Sequence, residues 1–355
     1  MPITISEIGR IVGVSQATVS RVLNTPHLVK RETREKVLTA FEKHDYVYNA
    51  IAGGLTKRKT ATLGLIIPTI TNPIFALSTK GVQEAAKERG YSILLGSTDY
   101  SYDAELKLVT LFHEKRVDGI IFTGAPGNEK SIEFMKRLKI PYLITWESVD
   151  DKNTSFVAFD NVKGGRQVTD YLICLGHRRI GMVAGRFSES GRAHKRWLGY
   201  KQSLESHGIP YSEKLVIEKE YTVSAGKEAM GRLLRMSDLP SAVLCGNDIL
   251  AFGAMAAVKD AGYEVGADVS IVGFDDLEVS EVTDPPLSTV QVPGYKMGAL
   301  GAEVLIDFIE GKTGEPQQHI LETNLVIRES TGNPRSYFQP GYPVLQNGVR
   351  REERR

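Results

Sequence analysis

Cysteine is scarce in this chain: two residues, Cys174 and Cys245, among 355. That excludes a disulfide-stapled scaffold and a Cys-x-x-Cys metal pair. Both thiols are expected to be buried and inert. Long apolar runs are missing too. No stretch approaches the ~20 residues that a membrane-spanning helix needs. The start, Met1-Pro2-Ile3-Thr4, has no basic stretch followed by an apolar core. No secretory signal is expected, and the cytoplasm is the default compartment. There is no Gly-x-Gly-x-x-Gly, no Walker phosphate loop and no Gly-x-Ser-x-Gly elbow. No cofactor and no metal are therefore expected, and an enzyme is disfavoured. Asp275-Asp276 is a carboxylate pair, but adjacent residues at a strand end tend to point apart.

What is present is an ordinary globular balance, 41% hydrophobic and 25% charged, with a formal net charge of +1. At ~150 residues per domain the length suggests two or three domains. The charge is unevenly spread. Residues 1–60 hold ten of the 44 Lys/Arg and only five of the 43 Asp/Glu. A basic head on a slightly acidic body points to an anionic partner for the head alone. Charge by itself is equally compatible with a solvated basic face.

The head carries local helix signals. Ile5, Ile8, Ile11 and Val12 recur at helical spacing. Thr4 with Glu7 forms a capping-box pattern, and Gly13 suits a turn that needs positive φ. Ser15 then caps a second helix from Gln16 to about Leu23, with Val19 and Val22 inward. Gly9 implies a close crossing with no room for a Cβ. A third helix is expected from about Arg31 to His44, with Val37, Leu38 and Phe41 as its apolar residues. This is a helix-turn-helix pattern, although a small helical dimerisation module would look similar. Such a second helix enters the major groove N-terminus first. Gln16, Ala17 and Arg21 then face base edges, and Thr18, Ser20 and Asn24 suit phosphate contacts.

The body alternates short apolar runs with helical stretches. Strands are expected at Thr62–Ile67, Tyr91–Leu95, Asp118–Phe122, Pro141–Ile144, Arg179–Val183, Ala242–Cys245 and Val269–Gly273. Helices are expected at Thr79–Arg89, Ala104–Lys115, Ser131–Leu138, Gly164–Leu175, His194–His207, Ala225–Met236 and Ile249–Ala261. The alternation argues for parallel sheets covered by helices, and about ten strands favour two lobes over one sheet.

The run Val14-Ser15-Gln16-Ala17-Thr18-Val19-Ser20-Arg21-Val22-Leu23-Asn24 resembles the start of the lactose-repressor (LacI/GalR) family of bacterial transcription regulators. The resemblance continues through Asn49-Ala50-Ile51-Ala52, Leu63-Gly64-Leu65-Ile66-Ile67-Pro68, Asn72-Pro73, Arg116-Val117-Asp118-Gly119, Leu175-Gly176-His177-Arg178-Arg179, Asn247-Asp248 and Val272-Gly273-Phe274-Asp275-Asp276. It ends near Arg328-Glu329-Ser330-Thr331, covering about residues 3–333. The implied fold class is a small all-α helix-turn-helix head plus an α/β body of two similar parallel-sheet lobes, periplasmic-binding-protein-like. The implied domains are a head at 1–45, a hinge at 46–60 and a body at 61–335, with a tail at 336–355 expected to be disordered. One lobe would take 61–160 and 292–320, the other 162–288 and 325–335. Crossings fall near 160–161, 289–291 and 321–324.

The resemblance also implies site residues. In the hinge, Asn49, Ala52 and Leu55 stand where the family has its DNA contacts, with Leu55 as the minor-groove wedge. Tyr48 replaces a usual proline, and Gly53-Gly54 raise the cost of an ordered helix. In the cleft between lobes, Arg196 matches the arginine that forks onto effector groups, Asp275 a binding acid and Asn247 a polar contact. Asp248 is expected to cap the following helix. Tyr221 and Phe75 would supply aromatic walls. Trp146 stands where sugar-binding members often place a short polar or acidic side chain, with Glu147 as a substitute acid. His177 is a turn element, not a ligand. The implied function is a repressor, working as a homodimer on operator DNA. A small-molecule effector, a sugar or related compound, would control it. A solute-binding protein would share the body but not the basic head.

Overall fold

The computed structural model describes residues 3–44, 46 and 59–335. The chain divides into two compact units, residues 1–60 and 61–355. The hinge residues Asn49, Ala52 and Leu55 and the tail at 336–355 lie outside the described residues.

The head is three helices, α1 (Ile5–Val12), α2 (Gln16–Asn24) and α3 (Arg31–Lys43). Thr4 and Glu7 cap α1 reciprocally, and Gly13 closes it at φ 75°. Ser15 caps α2 by accepting from the Thr18 N–H. A Cβ on Gly9 would sit 2.8 Å from the Val14 carbonyl oxygen, so the close crossing is with the turn itself. Ile8, Val19, Val22, Val37, Ala40 and Phe41 form the core. Two residues depart from the expected apolar faces. Ile11 is 53% exposed and Leu38 also faces out. A helix of only eight residues turns one narrow stripe inward, and Ile8 occupies it. Lys30 precedes α3 without a side-chain cap.

The body holds two six-stranded sheets. Its strands are β1 (Thr62–Ile67), β2 (Ser92–Ser97), β3 (Gly119–Thr123), β4 (Tyr142–Thr145), β5 (Ser155–Phe159), β6 (Ile180–Gly185), β7 (Val216–Lys219), β8 (Ala242–Cys245), β9 (Ser270–Asp275), β10 (Ser288–Gln291), β11 (Gln318–Leu321) and β12 (Asn324–Val326). Its helices are α4 (Pro73–Glu88), α5 (Tyr102–Glu114), α6 (Glu129–Leu138), α7 (Asn161–Cys174), α8 (Gly191–Ser206), α9 (Val223–Leu234), α10 (Asp248–Asp260) and α11 (Gly294–Ile309).

The first sheet runs β2-β1-β3-β4-β5-β11 and the second β7-β6-β8-β9-β10-β12. The pairings are parallel except β10 with β12. The chain therefore passes between lobes after β5, after β10 and after β11. β10 belongs wholly to the second sheet, so the middle crossing follows Gln291. Buried strand residues such as Leu63, Leu65, Ile121 and Leu143 fill one lobe, and Met182, Leu244, Val272 and Phe274 the other.

Close-packed helix pairs fix the geometry of both lobes. A Cβ on Gly165 of α7 would sit 2.1 Å from the Arg196 carbonyl oxygen of α8, and one on Gly199 2.0 Å from that of Val162. In the first lobe, Gly81 of α4 and Gly298 of α11 meet in the same reciprocal way. Cys245 is buried, as its strand position implies, but Cys174 is exposed. It lies on the outer face of α7, whose inner face is taken by Val168, Leu172 and Ile173.

Candidate functional sites

On the head, Gln16, Ala17 and Arg21 are exposed on α2, and Thr18 and Ser20 are half-buried. The Thr18 hydroxyl lies 2.9 Å from that of Ser15. The Asn24 side chain is outside the described set.

In the body, the carboxyl ends of the parallel strands of the two lobes face a shared cleft, the position where open α/β sheets bind ligands. A pocket there is lined by Thr98, Tyr100 and Glu147 from the first lobe and Ser190, Gly191 and Arg192 from the second. Asn72 caps α4 by accepting from the Ile74 N–H, and Ser190 caps α8 by accepting from the Ala193 N–H.

Arg196 is 5% exposed. Its Nε donates to Asn161 Oδ1 at 3.0 Å, and its Nη1 donates to the Gly246 carbonyl. The guanidinium lies 3.7 Å over the Phe274 ring. Burial lowers its pKa, and Asp275 opposes that shift. Asn161 in turn donates to the Trp146 carbonyl at 3.1 Å, tying α7 to the first lobe. Asp275 ends β9 at φ 123° and is 4% exposed. Burial pushes its carboxyl up to about 7, against the pull of Arg196 and Arg192 and a hydrogen bond from Asn72. A non-glycine residue held at positive φ stores strain of the kind that collects at functional sites. Tyr221 packs against Tyr100 with ring centres 5.6 Å apart and planes tilted by 31°, and burial raises both phenols.

The expected Asp248 cap is a correction. Asn247 caps α10, its Oδ1 accepting from the Leu250 N–H at 3.0 Å. Its Nδ2 is buried and has no partner among the described residues. Asp248 instead accepts from the Leu277 N–H and the Ser280 and Thr289 hydroxyls. A buried carboxylate needs such donors. It clamps the loop after Asp275 onto β10. Phe75 and Trp146 meet edge to face at 5.3 Å. The Trp146 indole is 1% exposed and donates to Ser78 at 3.4 Å, so it backs the cleft wall and does not form its surface. Glu147 takes the Ala125 N–H at 3.2 Å and Lys195 at 3.1 Å, and so spans the lobes. His177 is a buried hub between Ser241, Ser270 and the Gly332 carbonyl.

Sequence reasoning missed Arg192, Tyr100, Asn72 and Ser190. The helix-start signals at Asn72-Pro73 and Ser190 were legible. The burial of Arg192 and Tyr100 was not. Among the described residues, no helix is long and apolar enough to cross a membrane.

Comparison with known proteins matches two families. Residues 4–49 match "Bacterial regulatory proteins, lacI family", and residues 169–331 match "Periplasmic binding protein-like domain". Catabolite control protein A of Priestia megaterium is 34% identical over 331 residues, 93% of this chain and 100% of that protein. The HTH-type transcriptional repressor CytR of Escherichia coli (strain K12) is 31% identical over 329 residues, 92% of this chain and 96% of that one. The lac repressor dimer bound to operator and the anti-inducer ONPF superposes with a TM-score of 0.84 at 26% identity, covering 94% of this chain and 100% of that chain. With a relative this similar along almost its whole length, this chain belongs to the lacI family of bacterial regulatory proteins, as a DNA-binding transcription regulator with an effector-binding body.

Proposed function

We propose that the protein is a cytoplasmic repressor that binds a two-fold symmetric operator as a homodimer, and not an enzyme. A small polar metabolite, a sugar or related compound, held between the lobes sets its operator affinity. The observation that carries this is the enclosed group of Arg196, Asp275 and the unpartnered Asn247 Nδ2, in a chain whose head presents Gln16, Ala17 and Arg21 on an exposed helix face. Relatives support it. One solved structure, 32% identical with a TM-score of 0.70 over 92% of this chain and 99% of that chain, is a transcriptional regulator CelR–cellobiose complex. Arg196 and Asp275 act as a fork and an acceptor for hydroxyl groups. Because the chain passes between lobes three times, a ligand that prefers one lobe arrangement shifts the geometry presented to the hinge.

The test is selection of bound duplexes from a random-sequence pool by the purified full chain. A two-fold symmetric consensus is expected, and absence of any enriched sequence would overturn the reading. On that consensus, Arg21→Ala should lose ~1–3 kcal/mol of discrimination at one base pair per half-site. A uniform loss across sequences would make Arg21 a phosphate contact.

A further inference from the structure

The cleft holds two arginines, and they differ. Arg196 has two hydrogen bonds to the protein and a ring beneath it. Arg192, one turn earlier on α8, is 7% exposed and makes no hydrogen bond or ion pair among the described residues. Its guanidinium lies 5.4 Å from the centre of the Phe75 ring and 5.8 Å from that of Trp146. Those rings hold the cation without accepting its N–H groups.

The acids lining the same pocket are committed elsewhere. Glu147 is on Lys195 and the Ala125 N–H, Glu189 on Arg186, and Glu105 on the Gly127 and Asn128 N–H groups. Asp275, outside the pocket lining, feels the charge of both Arg196 and Arg192 but accepts no hydrogen bond from Arg192. A guanidinium keeps its charge at any physiological pH and presents a planar fork suited to two oxygens. A buried cation without a hydrogen-bonded counter-charge is costly, and this one borders a pocket beside Thr98, Tyr100, Gly124 and Ser190.

We propose that the effector carries an anionic oxygen group, a carboxylate or a phosphate, and that Arg192 receives it. The neutral part of the ligand then lies toward Arg196, Asp275 and Asn247. This rests on the cleft being the effector site.

The experiment is thermal-shift titration of the full chain with inorganic phosphate, glucose, glucuronate and glucose 6-phosphate, at ionic strength held constant with chloride. Wild type, Arg192→Gln and Arg192→Lys are compared, and operator affinity is measured alongside. At least one anionic probe should stabilise wild type beyond chloride and beyond glucose. Arg192→Gln should weaken that binding tenfold or more, with Arg192→Lys between the two. Glucuronate against glucose 6-phosphate separates the carboxylate from the phosphate. Without ligand, Arg192→Gln should melt no lower than wild type, which shows that the variant folds. The proposal is overturned if no anionic probe outperforms chloride, if glucose binds as tightly as its anionic relatives, or if Arg192→Gln binds as wild type does. Arg192-dependent anion binding that leaves operator affinity unchanged would refute the effector reading while keeping the anion site.

Discussion

The two lobes share one strand order and differ in what they place at the same point of it. At the end of the fourth strand of each lobe stands a non-glycine residue at positive φ: Trp146 at 74°, just after β4, and Asp275 at 123°, the last residue of β9. The helix after the first strand of each lobe starts on a cleft-facing cap, Asn72 and Ser190. In the first lobe that helix then brings Phe75, in the second Arg192 and Arg196. The duplicated scaffold thus places a buried aromatic pair, Phe75 and Trp146, on one side and two arginines on the other, while Thr98, Tyr100 and Glu147 of the first lobe line the pocket itself. The two lobes also touch directly, through contacts such as Tyr102 donating to the Ser188 carbonyl at 2.9 Å.

The largest expected effect is on the aromatic side. Trp146→Ala removes a fully buried indole and should lower stability by ~3–5 kcal/mol in denaturant unfolding. A loss below ~1 kcal/mol would mean that the wall is not packed as described.

The second lobe has its own weak point in acid. Burial holds His177 down to about 4. A depressed folded-state pKa contributes stability that is complete above the unfolded value of ~6.5 and is lost as pH falls through about 4. The span corresponds to about 3 kcal/mol. The first lobe's His113 and His319 are not buried. Hydrogen exchange between pH 7 and 4 should therefore show the second lobe loosening first. Uniform loosening would remove the contrast.

Glycine contacts offer a matched pair. Gly165→Ala and Gly81→Ala each drive a Cβ to 2.1 Å from a backbone oxygen, of Arg196 and Tyr295 respectively. Each should cost ~1–3 kcal/mol. Only Gly165→Ala displaces the Arg196 backbone, so only it should remove the ligand response at temperatures where both variants are folded. Asp275 carries the opposite pH dependence. Its raised carboxyl favours folding below ~4 and loses that contribution as pH rises through about 7. Without ligand, Asp275→Asn should gain melting temperature relative to wild type between pH 5 and 8. A constant difference would contradict the shift.

Much of the head was legible because its signals are local: Thr4 with Glu7, Gly13, Ser15 and the inward Val19 and Val22. The seven expected strands all exist, within two or three residues at their ends. Those missed are short or half-polar, such as β7 (Val-Ile-Glu-Lys), β10 (Ser-Thr-Val-Gln) and β12 (Asn-Leu-Val), and pairing in the sheet defines them more than composition does. Helix α11 went unread because Gly294, Gly298 and Gly301 look like breakers, whereas Gly298 and Gly301 serve close packing against α4 and β4. Asp275 was readable from its place after a strand, whereas Arg196 and Tyr221 were readable only through the resemblance; these three interact electrostatically, and Phe75 packs against Trp146 and Arg192. Arg192 could not be read, because the absence of a partner is a tertiary fact.

The most direct measurement is operator affinity with and without a cleft-bound metabolite, for wild type and Arg196→Ala side by side. The account predicts a change of ~5–150-fold in wild type. In Arg196→Ala, basal operator affinity should be intact and the change less than about twofold. A variant that responds as wild type does would place the control of the head outside this cleft.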